Sequence, residues 1–135
     1  MHSIEQVPDH VVWPIRQQVM YPDFDIEQVK LQDDASGIHL ALFDKNTLVS
    51  VASLFKTDND LQFRKLATLN EFQGKGYGSK LLQYIIEFAQ SEGCEKVWCN
   101  SRVSAASFYK KFGFKETSSR FTKHQIEFVI MELTL

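Results

Sequence analysis

The chain has 135 residues, of which 44% are hydrophobic and 24% are charged, and its formal net charge is −2. This length suits a single domain, and interspersed charges of both signs argue against a nucleic-acid-binding domain, which needs a basic face. No hydrophobic run is as long as a membrane span, and the first residues lack the basic and apolar segments of a secretory signal. Cys94 and Cys99 imply no disulfide framework and favour reduced, buried thiols in a cytoplasmic protein.

The first third of the chain has the pattern of one strand and two short helices. We expect the strand over residues 4–7, a helical stretch up to about Met20, a helix over residues 26–31 and a loop over residues 33–37. Two prolines are expected to bracket the first helical stretch, and one side of it is apolar. The two prolines are Pro8 and Pro14, and the apolar side consists of Val12, Ile15 and Val19.

Three strand-like runs come next, over residues 38–43, 48–55 and 61–69. Turn-forming residues separate them, with Asp44-Lys45-Asn46 after the first run and Thr57-Asp58-Asn59-Asp60 after the second. Because such short connections join neighbouring antiparallel strands, the sequence predicts an antiparallel meander.

The pattern then changes from alternation to helical spacing. Residues 73–78 lead into a helix that Gly93 closes, and residues 96–100 form a short strand, which predicts a strand, a crossover helix and a parallel strand. A second helix begins near Ser104, and two strand candidates follow, the later one over residues 126–133. The predicted fold class is α/β (α+β), with a mixed, mostly antiparallel sheet of six to seven strands flanked by helices.

The segment Gln73-Gly74-Lys75-Gly76-Tyr77-Gly78 lies between a predicted strand and a predicted helix. Its glycines allow the backbone to approach a ligand closely, and the unpaired N–H groups and dipole of a helix N-terminus attract anions. A phosphate-bearing ligand is therefore expected. The spacing matches neither the dinucleotide-binding nor the nucleoside-triphosphate-binding glycine motif. Taken alone, the segment fits equally well a loop whose glycines only cap the flanking elements.

Two motifs of the chain resemble those of the GNAT acetyltransferase superfamily. Its motif [R/Q]-x-x-G-x-[G/A] is matched by Gln73, Gly76 and Gly78, and its later motif F-Y-x-x-x-G-F is matched from Phe108 to Phe114. The two motifs occur in the family's order, which makes the pair more specific than either motif alone. The similarity covers residues 61–114, and outside this range only the order and length of the elements agree.

The resemblance implies acetyl-CoA as the cosubstrate. Backbone groups of Ala67 and Thr68, in a segment similar to the family's splayed fourth strand, would pair with the pantetheine arm. Backbone N–H groups of residues 73–79 would hold the pyrophosphate, Asn100 would contact the cosubstrate, and Tyr109 would act as the general acid. The cosubstrate-binding residues implied in this way are Leu66, Ala67, Thr68, Gln73, Gly74, Lys75, Gly76, Tyr77, Gly78, Ser79 and Asn100.

Three positions depart from the family's pattern. Gln73 stands where Arg is commoner, Thr68 where Val is usual, and Asn70 where Pro is usual. The first change removes one charge and keeps the backbone cradle, and the other two do not threaten cosubstrate binding. No departure affects Tyr109.

The resemblance predicts that residues 1–135 form one N-acetyltransferase domain, which moves the acetyl group of acetyl-CoA to a primary amine of a small molecule or a peptide. The amine would attack directly in a ternary complex, a backbone N–H of Ala67 or Thr68 would polarise the carbonyl, and Tyr109 would protonate the departing thiolate. A non-catalytic acyl-CoA-binding sensor and an interaction module that shares only the fold stay open as alternatives. A homodimer is a further expectation, whereas nucleic acid, membranes and metal ions are not expected as partners.

Several candidate residues also have ordinary structural interpretations. Tyr109 by itself resembles a core tyrosine on an apolar helical stripe, and Cys99, without an activating partner, is better explained as a buried structural thiol than as a nucleophile. Trp13, Arg16 and Tyr21 could hold an acceptor with an anionic group, or be a packed tryptophan and a surface arginine. The candidates for a general base are His39, His124, Glu71, Glu127 and Glu132.

Overall fold

The computed structural model of the chain describes all 135 residues. It contains seven strands, four α-helices and three short 3₁₀ turns. The strands are β1 (His2–Val7), β2 (Ile38–Asp44), β3 (Thr47–Thr57), β4 (Asp60–Thr68), β5 (Lys96–Arg102), β6 (Lys115–Lys123) and β7 (Ile126–Thr134). The helices are α1 (Asp9–Met20), α2 (Ile26–Val29), α3 (Tyr77–Ser91) and α4 (Ala106–Lys110), and the 3₁₀ turns cover Asp34–Ser36, Asn70–Phe72 and Val103–Ala105.

The strands form a seven-stranded sheet in the order β1-β2-β3-β4-β5-β7-β6. The pairs β1/β2, β2/β3, β5/β7 and β6/β7 are antiparallel, and the pair β4/β5 is parallel. The parallel pairing runs from Asp60–Lys96 to Gln62–Trp98 and then ends, while β4 continues to Thr68. The predicted mixed, mostly antiparallel sheet flanked by helices is confirmed, and so is its unit of strand, crossover helix and parallel strand.

The chain forms two compact units, each made of two segments. The first unit comprises Met1–Phe55 with Phe63–Ile85, and the second comprises Lys56–Gln62 with Ile86–Leu135. The boundaries fall inside β3, β4 and α3, so these three elements contribute residues to both units.

In the first unit, α1 packs its apolar side on the sheet. The cluster formed there consists of Val12 and Ile15 from α1 with Ala41, Val51 and Ala67 from β2, β3 and β4. Each of these side chains is at most 7% exposed. Full burial of an aliphatic side chain of the size of valine or isoleucine stabilises a fold by roughly 1.5–3 kcal/mol, so this cluster fixes α1 against the strands.

In the second unit, β5 and β7 bury alternate residues. Val97, Cys99 and Ser101 of β5 are at most 2% exposed, and Val129 and Met131 of β7 are fully buried. Cys99 pairs with Met131 and Ser101 with Val129. Because side chains alternate between the two faces of a strand, this pattern places one face of each strand in the core.

The first helix differs from the prediction because Pro14 lies inside it and does not bracket it. Pro8 is the N-cap, with extended φ and ψ angles of −62° and 156°. Pro14 has no N–H to donate to the carbonyl of His10, which normally kinks or breaks a helix. The fully buried Val12 and Arg16, one on each side of Pro14, hold the helix across that position.

Two other helices are shorter than predicted. α2 covers Ile26–Val29, because Lys30 already has extended backbone angles of −68° and 140°. The helix expected near Ser104 begins as a 3₁₀ turn, and only Ala106–Lys110 are α-helical. None of the helices is both long and apolar enough to cross a membrane.

The end of α3 agrees with the prediction of a glycine cap. Gly93 has a φ of 73°, and the next N–H, that of Cys94, donates to the Ala89 carbonyl at 3.0 Å. A glycine in this left-handed conformation followed by such a bond is the usual way in which a helix ends.

Candidate functional site

Residues 73–78 connect the 3₁₀ turn after β4 to α3. Gly74 and Gly76 have positive φ angles of 78° and 85°, a region that residues with side chains rarely adopt. A Cβ atom at either position would meet no other atom within 4 Å, which leaves room for a ligand to approach the backbone. Gly78 lies inside α3 and does not have a positive φ. The conformation therefore requires glycine at two of the three glycine positions.

The backbone N–H groups of this segment form a potential anion site. Those of Gly74, Lys75 and Gly76 donate to no backbone carbonyl, and the hydrogen bonding of α3 begins with the Lys80 N–H and the Gly76 carbonyl at 3.1 Å. The preceding N–H groups lie at the positive end of the helix dipole. The N–H of Gln73 already donates to the Asn70 carbonyl at 3.3 Å. The donors available to a ligand therefore start at Gly74.

The side chain of Gln73 fastens the segment to the end of β4. Its Nε2 donates to the Thr68 carbonyl at 2.9 Å and to Asn70 Oδ1 at 3.1 Å. The three positions at which the sequence departs from the family's pattern are thus joined by hydrogen bonds. Glutamine at this position contributes these hydrogen bonds and no positive charge, so its side chain restrains the backbone of the segment.

Tyr77, the first residue of α3, is anchored by its side chain. It is 8% exposed, and its hydroxyl donates to Asp44 Oδ2 at the end of β2. The rings of His2 and Phe72 meet the Tyr77 ring edge-on, with centroids 5.5 and 6.1 Å away. The hydrogen bond lowers the pKa of Asp44 and raises the pKa of Tyr77. Nothing in the sequence pairs these two residues, which are 33 positions apart.

The second half of β4 contains the segment expected beside the pantetheine arm. Leu66 and Thr68 are partly exposed, and Ala67 is buried. The hydroxyl of Ser50 donates to the Ala67 carbonyl at 3.0 Å and lies 2.9 Å from the Thr68 hydroxyl. The Ala67 carbonyl therefore already accepts one hydrogen bond from a side chain. Lys65, immediately before this segment, has a φ of 58° within the strand.

Tyr109 lies on α4, in the second unit, and is partly exposed. The rings of Phe108 and Phe114 meet it edge-on, with centroids 5.1 and 5.9 Å away. Its carbonyl accepts the N–H groups of Phe112 and Phe114 at 3.0 and 3.3 Å. Burial of the phenol, together with the neighbouring Cys99, raises the pKa of Tyr109 well above its usual value. The hydroxyl therefore stays protonated near neutral pH and has a proton to donate.

Cys99 and Asn100 are neighbours on β5 and face opposite sides of the sheet. Cys99 is 2% exposed, and burial raises the pKa of its thiol to about 12. The thiol is therefore protonated near neutral pH, as expected for a structural cysteine. Asn100 is exposed, and β5 continues past it to Arg102, two residues beyond the predicted end. No group of three or more His, Cys, Asp or Glu side chains is placed to hold a metal ion.

A buried ion pair that the sequence analysis missed lies in the first unit. Arg16 is 0% exposed, and its Nη1 and Nη2 donate to Asp34 Oδ2 and Oδ1 at 2.7 and 2.9 Å. Arg16 also donates to the Val29 carbonyl and to Ser53 Oγ, and Trp13 Nε1 donates to Asp34 Oδ2. Burial by itself raises the pKa of Asp34, but its hydrogen bonds, above all those from Arg16, lower it to about 2.

This network changes the interpretation of Arg16 and His39. Arg16 is neither a surface residue nor a ligand for an anionic acceptor, because its buried guanidinium is bound within the chain. His39 is 4% exposed, with Nε2 2.8 Å from the Asp34 carbonyl and Nδ1 2.7 Å from Ser53 Oγ. Since a carbonyl only accepts, Nε2 carries the proton and Nδ1 accepts from Ser53. A histidine enclosed in this way does not serve as a general base.

The other candidates for a general base lie in different environments. Glu132 accepts a charge-assisted hydrogen bond from Lys96 Nζ at 3.2 Å. Glu71 and Glu127 are exposed, and His124 is exposed in the turn between β6 and β7. None of the five therefore stands out as the base.

Comparison with known protein families shows to which family the chain belongs. The profile of the family described as "Acetyltransferase (GNAT) domain" matches residues 17–135. The chain belongs to the GNAT acetyltransferase family. The match includes both of the motifs that carry the resemblance, so the expected family membership is confirmed.

Individual acetyltransferases are similar to this chain in sequence or in fold. YitI of Bacillus subtilis, described as an uncharacterized N-acetyltransferase, is 30% identical over 130 residues, which cover 90% of this chain and 87% of the relative. The ribosomal-protein-S18-alanine N-acetyltransferase of Escherichia coli superposes with a TM-score of 0.81 at 17% identity, over 99% of this chain and 94% of that chain. A GNAT family acetyltransferase of Elizabethkingia anophelis, solved with acetyl-CoA bound, gives 0.76 at 16% identity over 99% and 98% of the two chains. The two solved structures share the fold of this chain.

Proposed function

We propose that this GNAT protein is an N-acetyltransferase that moves the acetyl group of acetyl-CoA to a primary amine of a small molecule or a peptide. The observation that carries the proposal is the segment before α3, where two glycines with positive φ precede a series of unpaired N–H groups. Such a helix start binds phosphate groups. The acetyl-CoA in the Elizabethkingia anophelis protein and the alanine acceptor of the Escherichia coli enzyme support the cosubstrate and the acceptor class.

The chain would hold acetyl-CoA mainly through its backbone. The N–H groups of residues 74–79 donate to the pyrophosphate, and Gln73 keeps this segment in place from β4. Ala67 and Thr68 pair with the pantetheine arm as an added strand would. Asn100 offers an exposed side-chain amide to the cosubstrate. Recognition by the main chain explains why a glutamine in place of arginine at Gln73 is compatible with binding.

The chemistry requires a neutral amine, a polarised carbonyl and a proton for the leaving group. The amine nitrogen forms a bond to the thioester carbon, the C–S bond breaks, and the amine loses one proton to water. A backbone N–H of Ala67 or Thr68 stabilises the oxyanion that forms. The hydroxyl of Tyr109 donates a proton to the departing thiolate. Cys99 stays a thiol, and direct attack needs no acyl-enzyme.

Calorimetric titration with acetyl-CoA tests the cosubstrate site through Gly76→Trp. The new side chain would require a positive φ and fill the open space at residue 76, so we expect binding by the wild type and loss of binding in the variant. Gly93→Trp is the matched control, because Gly93 has a similar φ of 73° and similar free space. Wild-type protein that does not bind acetyl-CoA, or equal loss of binding in both variants, would refute the proposed site.

A non-catalytic acyl-CoA-binding sensor is the second candidate. It is favoured by one observation, which is that His39 and Glu132, two of the candidate bases, are engaged in hydrogen bonds within the chain. Release of free CoA during incubation with a broad panel of amines separates the two functions. Release that depends on an amine supports the enzyme, whereas binding without release supports the sensor.

The cellular location, the domain organisation and the oligomeric state of the protein are further parts of this proposal. Both cysteines are buried free thiols, which supports a cytoplasmic location, where thiols stay reduced. That residues 1–135 act as one domain, and that the protein forms a homodimer, stay predictions.

A further inference from the structure

One face of the sheet in the second unit carries a row of three side chains across β5, β7 and β6. Arg102, the last residue of β5, pairs with Phe128 of β7, and Phe128 pairs with Phe121 of β6. Residues that pair directly across strands lie on the same face, with Cβ atoms about 5 Å apart. Asn100, two residues before Arg102, also lies on this face, because side chains alternate along a strand. We call the surface formed by these four residues the Arg102 face.

The Arg102 face is open, whereas the other face of the same strands is packed. Phe121 is 38% exposed, and Phe128 and Arg102 are half-buried. On the other face, the neighbouring Ser101 and Val129 are at most 2% exposed. The rings of Phe121 and Phe128 stack with their centroids 5.1 Å apart and their planes 8° apart. The open face therefore presents an ordered apolar surface beside an arginine.

The guanidinium of Arg102 has no acidic partner within the chain. None of the ion pairs includes Arg102. The one side-chain hydrogen bond at this residue is donated by Ser101 Oγ to the Arg102 carbonyl, at 2.8 Å. By the alternation of the strands, Glu132 is the one acid on this side of β5, β7 and β6, and Lys96 binds it at 3.2 Å. Positive charge is in excess on this side, which also carries Lys115 and Lys123.

We propose that Arg102 binds a carboxylate of the acceptor, and that the stacked rings of Phe121 and Phe128 pack against the apolar part of the same molecule. This inference rests on the proposed acetyl transfer and specifies its substrate class, which is an amine that also carries a carboxylate. A guanidinium offers two parallel N–H groups that match the two oxygens of a carboxylate. The same positive charge disfavours polycationic acceptors such as polyamines.

The position of Arg102 on β5 suits an acceptor site. Tyr109, the proposed general acid, neighbours Cys99, which lies on the other face of β5. An acceptor on the Arg102 face therefore approaches from the side of β5 opposite to the proton donor. Two residues of a strand span roughly 7 Å. An amine beside Asn100 and a carboxylate at Arg102 are thus several ångströms apart in one small molecule.

Three benzyl probes separate the contribution of the carboxylate. They are 4-(aminomethyl)benzoate, 4-(aminomethyl)benzamide and benzylamine, which share a ring and an aminomethyl group and differ at the far end of the ring. With release of the CoA thiol as the assay, we expect kcat/KM of the wild type to be at least about tenfold higher for the benzoate than for the other two. Phenylalanine and phenylalaninamide repeat the comparison at a shorter spacing, and spermidine represents the polycations.

Variants at Arg102 assign the preference to this residue. Arg102→Gln removes the charge and should reduce the preference for the carboxylate about tenfold, mainly through the KM of the acceptor. Arg102→Lys keeps the charge and should retain part of the preference. The matched control is Arg120→Gln, because Arg120 is an arginine on the other face of β6 that is paired with Glu116. This control should retain the preference in full.

Phe121→Ala tests the apolar part of the site. We expect it to raise the KM of all three benzyl probes about fivefold, because the ring of each probe loses buried apolar contact. The ratio between the benzoate and the benzamide should not change. An unchanged KM for all three probes overturns the packing role of the stacked rings.

The outcomes distinguish this inference from the function on which it rests. Equal kcat/KM for carboxylate and amide in both sets of probes, or faster acetylation of spermidine, overturns the selection of a carboxylate and leaves the acetyltransferase intact. This comparison uses the wild type and depends on no variant. A preference that persists in a folded Arg102→Gln, shown by its melting temperature, overturns the role of Arg102.

Calorimetric titration with acetyl-CoA completes the test. We expect the Kd of Arg102→Gln to equal that of the wild type. A weaker Kd together with an intact preference for the carboxylate would assign Arg102 to the cosubstrate and overturn the inference. Failure of the wild type to bind acetyl-CoA, or to acetylate any amine, overturns the proposed function and this inference together.

Discussion

The surroundings of Tyr109 suit the role of general acid that we propose for it. Burial raises its pKa well above the usual value, so the phenol is protonated over the whole neutral range. The edge-on rings of Phe108 and Phe114 restrict its orientation. A hydroxyl that is protonated and fixed in direction suits the proposed transfer of a proton to the thiolate of CoA.

We expect Tyr109→Phe to lower kcat about a hundredfold, because general acid catalysis contributes on the order of 10²–10⁴ in rate. The phenylalanine ring preserves the contacts with Phe108 and Phe114, so the KM for acetyl-CoA should change little. Initial rates of CoA release measure both quantities. Tyr84→Phe, on α3, is the control for loss of a tyrosine hydroxyl. An unchanged kcat in Tyr109→Phe would remove the acid role and leave Tyr109 as a packing residue.

Single residues also show the limits of the sequence analysis. Arg16 follows Val12 by one helical turn and therefore lies on the apolar side of α1, which was a sign that its guanidinium is buried. The identity of its partners had no such sign, since Asp34 falls in a segment that the sequence predicts as a loop and Ser53 is 37 residues away. Which side chains meet across a fold depends on the placement of the elements, and local patterns do not contain that information.

At the scale of elements, alternation predicted the strands well and turn residues predicted their connections. Lys45 and Asn46 have positive φ angles of 52° and 69°, in keeping with the turn expected there. The helices were less predictable, because tertiary packing overrides local preference. Proline normally ends a helix, yet α1 continues through Pro14 where buried neighbours hold it. The glycine segment was found from its sequence because its conformation requires glycine at Gly74 and Gly76.

The side chain of Tyr77 holds the first turn of α3 in position through its hydrogen bond to Asp44. We expect Tyr77→Phe to weaken acetyl-CoA binding about threefold to tenfold, because loss of the hydrogen bond to Asp44 leaves the first turn of the helix and its N–H groups less ordered. The rate at saturating acetyl-CoA should stay near that of the wild type. Calorimetric titration gives the Kd and steady-state kinetics give kcat.

The control for this prediction is again Tyr84→Phe, which lies further along the same helix. A Kd in Tyr77→Phe equal to that of the wild type contradicts the proposed positioning role. A fall in kcat with an unchanged Kd contradicts it as well, since it would place the hydroxyl in the chemical step.

At the scale of the whole molecule, one buried ion pair links stability to pH. The pKa of Asp34 is about 2 in the fold, against 3.8 for an unperturbed aspartate. A carboxyl whose pKa is lower in the folded state stabilises the fold at pH values above the unfolded pKa and loses this effect as the pH falls through the folded pKa. The shift corresponds to about 2 kcal/mol, all of which is present above roughly pH 5 and none of which remains below roughly pH 1.

Asp34→Asn tests this linkage. The variant leaves the buried guanidinium of Arg16 without a counter-charge, so we expect the free energy of unfolding to fall by about 3–5 kcal/mol at neutral pH. Its stability should also vary less with pH than that of the wild type between roughly pH 5 and pH 1, because Asp34 no longer titrates. The double variant Arg16→Met with Asp34→Leu removes both charges and should regain much of the loss, since apolar residues replace a buried ion pair well. Urea unfolding across this pH range measures the stability of the wild type and of both variants.

The same unfolding curves show whether the two units unfold together. Because Arg16 and Asp34 both belong to the first unit, separate unfolding of the two units would confine the effect to one transition. A single transition that shifts as a whole supports one cooperative domain. Equal pH dependence in wild type and Asp34→Asn would show that the ion pair is not the source of the linkage.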